Sequence, residues 1–337
     1  MSSVPYLTLN TGASMPQIGL GCWGGVTEET RAAAADWILN ALKLGYRHLD
    51  TAWIYGTEVS TGKAIKASGI PREEIFVTTK LPWHHGARVE LSIQDSLDRL
   101  GLDYVDLYLV HFPQVAAFEG DDNSEPLDSF GDLKVVPSPT FVEVWQQMEK
   151  VYASGKAKAI GVSNFSIKNL EILLKTAKIV PAANQVEYAP SSFSPPSLSS
   201  LPFLPSGHHT PADLRGRLHP YLQQPDLMAY CSSKGIKVIA YTPTGYGTVR
   251  SDPTITSLAS KYNVMPAQII LGWHVLRGNA AVPKSSDGER QGANLVIPKL
   301  TKEDFETVCK LDRNERLCNK ANERGKVYGW TYEQLGW

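Results

Sequence analysis

Asp50 closes a short apolar run, Tyr46 to Leu49, and Tyr55 stands five residues beyond it in a tight loop. Free tyrosine titrates near ~10, so an unassisted phenol is a poor acid at neutral pH. A buried cation beside it would lower that value and make it a usable proton donor. An aspartate nearby would hold the cation in place. Lys80, directly after Ile75 to Thr79, offers the cation. His111, directly after Val105 to Val110, could orient a carbonyl oxygen toward the tyrosine. Taken singly, each residue has an ordinary explanation: a loop cap, a loop aromatic, a solvated lysine, a structural histidine. All four at the ends of successive strands make a coincidence hard to sustain.

Those strands belong to a two-part rhythm. Tyr6 to Leu9 and Gln17 to Gly21 flank Thr11-Gly12-Ala13 and read as a hairpin. Helical spacing follows over Glu28 to Leu44, stopped by Gly45, then a strand at Tyr46 to Leu49. Further helices are expected at Glu58 to Ser68, Val89 to Leu100, Phe141 to Ser154, Ile167 to Thr176, Pro225 to Lys234, Pro253 to Tyr262, Pro266 to Arg277 and Lys302 to Leu311. Strands are expected between them at Ile75 to Thr79, Val105 to Val110, Ala157 to Val162, Ala183 to Glu187, Lys237 to Tyr241 and Ala280 to Val282. With Gln17 to Gly21 as the first, eight strands alternate with helices and pair in parallel. The expected fold is one (β/α)8 TIM barrel over residues 1–337, preceded by a β-hairpin. A long acidic loop, Gln114 to Pro139, interrupts the rhythm.

In such a barrel the active site lies where the strands end. The residues there are Trp23, Asp50, Lys80, His111, Ser163 with Asn164, Gln185, Tyr241 and Lys284. After the last strand, Lys284, Ser285, Ser286, Arg290 and Asn294 suit a phosphate, which an arginine can bind bidentately. Tyr241 could stack on a flat ring. Gly19-Leu20-Gly21-Cys22-Trp23-Gly24 has the outline of a dinucleotide fingerprint. It fits poorly, because Trp23 occupies a position where backbone should approach a pyrophosphate. An open sheet would also leave Lys80, His111 and Lys284 without roles.

These motifs together resemble the aldo-keto reductases. The likeness is carried by Gly45 to Ala52 with Tyr55, Thr79-Lys80-Leu81, Val105 to His111, Gly161 to Phe165, Asn184 to Glu187 and Val282 to Ser285, and it covers nearly the whole chain. It implies a barrel that binds NADPH in extended form. By the resemblance Tyr55 is the general acid, Lys80 and Asp50 tune it, and His111 orients the carbonyl. Ser163, Asn164 and Gln185 would hold the carboxamide, and Tyr241 would stack on the nicotinamide. Lys284, Ser285, Ser286, Arg290 and Asn294 would take the adenosine phosphate end. Trp23, Trp53, Trp83, His111 and Phe112 would line the substrate pocket. Within the family the chain looks most like fungal reductases of xylose, glyceraldehyde and glycerol. Ala293 departs from the pattern, which often carries Glu there, and the Gly245 to Asp252 loop looks short. The implied activity is NADPH-dependent reduction of a small-molecule aldehyde. The alternative on the same fold is a redox-sensing NADP(H)-binding subunit.

The bulk composition agrees with that class. A formal net charge of −1 gives no global pull toward nucleic acid or anionic membrane. Cys22, Cys231, Cys309 and Cys318 form no C-x-x-C pair and no zinc spacing, so reduced thiols and no metal are expected. The first residues lack a signal-peptide pattern, and no apolar run approaches the ~18 residues of a membrane span. A cytoplasmic monomer or weak homodimer is expected.

One tract does not belong to the rhythm. Tyr188 to Arg217 holds seven serines and six prolines in 30 residues, with neither helical nor strand period, and is expected to be disordered. It follows the sixth strand, where connections usually run ~2–6 residues. Removing it joins Glu187 to Leu218 and yields an uninterrupted segment of the family's pattern. Glu-Tyr-Ala can be encoded GAG-TAC-GC, which contains a GTACGC donor, and Gly-Arg can be encoded GGC-AGG, which contains a CAG acceptor. Splicing there restores Glu187 in frame. The tract therefore reads as a translated, retained intron, against the simpler reading of a surface insertion that loop entropy tolerates. Transcript sequencing is expected to find a spliced form lacking these codons. Its absence would overturn the intron reading. The chain with residues 188–217 deleted is expected to reduce aldehydes at least as well as the full chain.

Overall fold

The computed structural model describes residues 4–120, 126–186 and 219–337. The tract Tyr188 to Arg217 lies outside the described residues, together with Glu187 and Leu218.

The hairpin pairs β1 (Tyr6–Thr8) with β2 (Ser14–Pro16). The second arm therefore ends before Gln17. Gln17 still donates its amide to the Pro5 carbonyl, but Gln17 to Gly21 forms the first barrel stave, with β3 at Leu20–Gly21. The other staves are β4 (His48–Asp50), β5 (Phe76–Leu81), β6 (Leu107–Val110), β7 (Ile160–Ser163), β8 (Ala183–Val186), β9 (Lys237–Tyr241) and β10 (Ala280–Val282). They run parallel in chain order. The ring closes where Ile18 bridges Ala281 and the Gly19 and Gly21 amides donate to the Ala281 and Pro283 carbonyls.

Helices fill the return connections: α1 (Glu28–Ala32), α2 (Ala34–Leu44), α3 (Glu58–Ser68), α4 (Val89–Leu100), α5 (Phe141–Ala153), α6 (Ile167–Leu174), α7 (Pro225–Ser233), α8 (Tyr246–Arg250), α9 (Pro253–Tyr262) and α10 (Pro266–Leu276). Beyond β10 come α11 (Gly288–Asn294), α12 (Lys302–Cys309), a small hairpin of β11 (Lys326–Val327) and β12 (Trp330–Thr331), and α13 (Tyr332–Leu335). The helix expected over Glu28 to Leu44 is two, divided at Ala33. Part of the Gly245 to Asp252 loop is the short helix α8.

Alternation along each strand divides the barrel into two environments, because successive side chains point to opposite faces. Leu49, Val77, Tyr108, Val110 and Val162 pack outward with helical residues such as Ile38, Ile93 and Trp145. Phe76, Leu107, Leu109, Ile239 and Ala280 pack inward, with Leu9 and Met15 of the hairpin region plugging the floor. His48 joins plug to barrel, with Nδ1 3.1 Å from the Pro16 carbonyl and Nε2 3.2 Å from Thr78 Oγ1. Continuing the inward register upward leads to Asp50, Lys80, Ser163, Gln185 and Tyr241. Apart from His48 and Thr78, the apolar floor thus becomes polar towards the carboxyl ends of the strands.

Candidate active site

Lys80 is fully buried, and its ammonium donates to Asp50 Oδ1 at 2.6 Å and to the Thr51 carbonyl at 2.8 Å. It also lies 4.9 Å from the centroid of the Tyr55 ring. The other Asp50 oxygen accepts from Gln185 Nε2 at 2.6 Å. Tyr55 ends a one-turn 3-10 helix, Trp53–Tyr55, which Gly56 closes at φ 64°. That turn is tied to β5 from behind. Thr79, pointing outward beside inward Lys80, donates to Glu58 Oε1 at 2.6 Å, and Thr51 and Thr57 hydroxyls meet at 3.1 Å. His111 stands opposite, its ring centroid 5.8 Å from that of Tyr55. Its backbone amide is fixed to the Leu81 carbonyl.

The protonation states follow from burial and from Lys80. Burial raises the Tyr55 phenol above its ordinary value, and Lys80 pulls it down without cancelling that rise. The sequence-based expectation of a net lowering is therefore corrected. The cation acts as expected, but desolvation is the larger effect. Burial pulls the Lys80 ammonium down, Asp50 and Tyr55 push it up, and the balance is above its ordinary value. Burial, then Lys80, holds His111 well below its ordinary value, so it is a neutral imidazole. Its Nδ1 is buried without a hydrogen-bond partner. The site therefore contains a protonated phenol, a fixed ammonium and a neutral imidazole around one point.

The remaining expected residues are distributed around the same rim. Ser163 Oγ donates to the Gln185 carbonyl at 2.7 Å. Asn164, at φ 64°, donates through Nδ2 to the His111 carbonyl at 3.0 Å and accepts from the Tyr241 hydroxyl at 2.8 Å. Gln185 is the exception in kind. Its amide nitrogen is committed to Asp50, so it orients the acid as well as facing the rim. Trp83 lies 6.2 Å from His111 and 5.8 Å from Phe112 between ring centroids. Trp23 is 49% exposed at the edge of the mouth. Trp53 departs from its expected pocket role. Its indole donates to Asp95 Oδ2 at 2.6 Å, the Arg99 guanidinium covers its ring, and its ring partners are His84 and His85. A partner on α4, 42 residues away, turns it toward that helix.

After β10, Lys284 Nζ lies 3.4 Å from Ser286 Oγ and 5.4 Å from the centroid of the Trp37 ring. Burial, then the charge of Arg290, lowers the Lys284 ammonium. Both side chains are exposed, with Asp287 Oδ1 3.9 Å from Arg290 Nε, and two cations that repel each other there suit a further anion between them. Ser285 in this loop and Asn294 at the end of α11 are buried. Gln291, unsuspected from sequence, fixes it by donating to the Ser285 carbonyl at 2.9 Å while accepting from Asn40 at 2.7 Å. The Gly19 to Gly24 glycines serve packing. A Cβ at Gly21 would lie 2.9 Å from the Val282 carbonyl, so the glycine lets β3 approach β10.

Glu58 was also missed, as were Asn319, which donates to the Tyr241 hydroxyl, and Tyr328, whose ring stacks on Trp83. Glu58 carries one faint signal, its place three residues after Tyr55 at a helix start. Nothing local marks the other two.

Removing one member of a buried ion pair strands the other, whereas removing both is far cheaper. Asp50→Asn is therefore expected to lower unfolding free energy by ~3–5 kcal/mol in urea titrations, and Asp50→Asn with Lys80→Met by clearly less. A double variant that loses the sum of the single losses would contradict the pairing.

The pattern of the aldo/keto reductase family matches residues 17–201. A glycerol 2-dehydrogenase (NADP(+)) of Saccharomyces cerevisiae is 42% identical over 325 aligned residues, covering 93% of this chain and 92% of that protein. An aldehyde reductase of the same yeast is 38% identical over 93% of this chain and 92% of its own length. Among solved structures, a Bombyx mori aldo-keto reductase in complex with NADP superposes with a TM-score of 0.78 at 30% identity, covering 98% of this chain and 100% of that one. With the barrel and the Asp50–Lys80–Tyr55–His111 group in place, this chain belongs to the aldo/keto reductase family.

Proposed function

We propose that the protein reduces aldehydes to alcohols with NADPH, acting on small sugars, glyceraldehyde or similar carbonyls, with Tyr55 as proton donor. The observation that carries this reading is the buried Lys80 ammonium, bonded to Asp50 and the Thr51 carbonyl beneath the Tyr55 ring. The names of the yeast relatives, a glycerol 2-dehydrogenase and an aldehyde reductase, support the substrate class.

NADPH, when bound, supplies the hydride to the carbonyl carbon. Ser163 and Asn164 would hold its carboxamide, the Tyr241 ring its nicotinamide, and Lys284, Ser286 and Arg290 its phosphate. Trp83 and Phe112 close the site on one side, beside His111. Neutral His111 donates to the carbonyl oxygen and turns it toward Tyr55 without adding a charge that would repel Lys80. Tyr55 then gives its proton to the oxygen as negative charge develops there. Lys80 stabilises the phenolate left behind, a charge present only once the proton moves. Asp50 and the Thr51 carbonyl keep the ammonium from reorienting, and Gln185 keeps Asp50 from doing so.

Tyr55→Phe is expected to lower kcat for glyceraldehyde at least ~10³-fold. NADPH affinity, read by quenching of tryptophan fluorescence, should stay within ~2-fold, since only the hydroxyl is lost. Near-normal turnover by this variant would end the assignment of Tyr55.

Arg290→Ala is expected to weaken NADPH binding ~10–100-fold, the worth of a charge-assisted hydrogen bond, and to leave NADH binding nearly as it was. Equal losses for both would place the 2′-phosphate elsewhere.

A further inference from the structure

We propose that Glu58 is a positioning residue for the proton transfer, setting Tyr55 against Lys80 through its hydrogen bond with Thr79. The proposal rests on the reading of Tyr55 as proton donor.

Tyr55 lies where the sheet no longer places it. The main-chain ladder between β4 and β5 runs as far as the Thr51 amide, which donates to the Thr78 carbonyl at 2.9 Å. Past that point the chain leaves the barrel through the turn Trp53–Tyr55 and enters α3 at Glu58. The amides of the turn bond locally, Tyr55 to the Ala52 carbonyl and Gly56 to the Trp53 carbonyl. A single 3-10 turn has poor hydrogen-bond geometry and little rigidity of its own. Side chains fix it on either side of the phenol. Trp53, two residues before, donates to Asp95 Oδ2 of α4 at 2.6 Å. Glu58, three residues after, accepts from Thr79 Oγ1 of β5 at 2.6 Å. These bonds are not equivalent. The Trp53 bond ties the turn to an outer helix. The Glu58 bond ties it to the residue directly before Lys80. Thr79 and Lys80 point to opposite faces of β5, so the bond at Thr79 fixes the backbone from which the ammonium reaches the phenol. That ammonium stands 4.9 Å from the Tyr55 ring centroid.

Glu58 is costly where it stands. It is 1% exposed. Burial holds its carboxyl above the ordinary value, and the bond from Thr79 offsets only part of the rise. Oε2 is buried without a hydrogen-bond partner among the described residues, and so is the Ser96 hydroxyl of α4. A Cβ at Gly62 would collide with the Leu100 carbonyl, so α3 is pressed on α4 and the acid is kept from water. An apolar pair of the same shape in place of Glu58 and Thr79 would be close to neutral for stability. Fold stability therefore does not account for an acid here. Its hydrogen bond runs to the strand that carries Lys80. That is the alignment proton transfer needs, since a misplacement of ~1 Å can cost ~10²-fold in rate.

The test reads single-turnover NADPH oxidation by glyceraldehyde in the full-length protein. Thr79→Val removes the hydroxyl and keeps the shape. It is expected to slow that rate ~10–100-fold while NADPH affinity holds. The solvent deuterium isotope effect on the rate is expected to rise, because the misaligned step is the proton transfer. Glu58→Gln keeps a carbonyl oxygen for Thr79 and is expected to retain most of the wild-type rate. Glu58→Met combined with Thr79→Val is expected to be as slow as Thr79→Val alone, because both remove the same bond, and to keep the wild-type urea midpoint. Near-normal rates in Thr79→Val, or a Glu58→Gln as slow as Thr79→Val, would overturn the positioning role. So would a slower rate with an unchanged isotope effect, or one that follows a loss of NADPH affinity or of the urea midpoint. Failure of the proton-donor reading itself shows separately, as normal turnover by Tyr55→Phe.

Discussion

A fully buried ammonium is the constraint around which this barrel is arranged. Isolated, a charge in so dry a place would be neutralised or expelled, since its desolvation cost amounts to several kcal/mol even after relaxation. Lys80 remains charged because its donors are met by a carboxylate, a backbone carbonyl and the edge of a phenol site. The carboxylate needs partners too, and its second oxygen receives Gln185 from β8. β4 and β8 lie opposite each other in the ring. The interaction that keeps Lys80 charged therefore also spans the barrel, and it depends on every strand between holding register. A slip of one residue would turn Lys80 outward and bring Thr79 in.

The chemistry follows from what is balanced and what is not. Burial dominates Tyr55, which stays a neutral phenol in the ground state although Lys80 is close. A lysine strong enough to ionise Tyr55 beforehand would have removed the proton the reaction needs. In the proposed mechanism the ammonium does most when the proton has left, which would place its stabilisation in the transition state. His111 is kept neutral by burial and by Lys80, so in the proposed mechanism it would direct an oxygen without competing as a second cation. Burial thus sets the ionisation of both neighbours, and the same ammonium lowers both, against burial at Tyr55 and together with it at His111.

Much of this was legible in the sequence because a barrel with period-two strands converts linear order into a ring. Asp50, Lys80, His111, Ser163, Asn164, Gln185 and Tyr241 were found simply as the residues at successive strand ends, and they do share one rim. What was not legible was decided by partners distant in the chain. Trp53 faces Asp95 and not the carbonyl site, Gln185 serves Asp50, and Gln291 pins the Lys284 loop. The hairpin's second arm is Ser14–Pro16 and not Gln17 to Gly21, whose apolar pattern belongs to the barrel closure, where the Gln17 side chain donates to the Asn279 carbonyl. The direction of the Tyr55 shift was missed for a related reason. Sequence supplies the neighbouring charge, but the depth of burial that outweighs it is a property of the assembled barrel.

The division between strand ends and irregular segments has a further consequence. Groups that must stay fixed to within a fraction of an ångström are on β4, β5 and β6 or directly after them. The Trp83 and Phe112 faces are covered from the C-terminal segment, whose position is set by Asp132 and Gln114 of the acidic loop and not by strand register. Two such segments, neither carrying a catalytic group, can change in length and composition without disturbing the Lys80 interactions. They are nevertheless not independent of the chemistry. Asn164 accepts from Tyr241, which receives Asn319, and donates to the carbonyl of His111. The covering segment therefore rests on the same side chain that braces the backbone of His111. The covered mouth and the site are thus joined by side-chain hydrogen bonds as well as by the strands of the barrel.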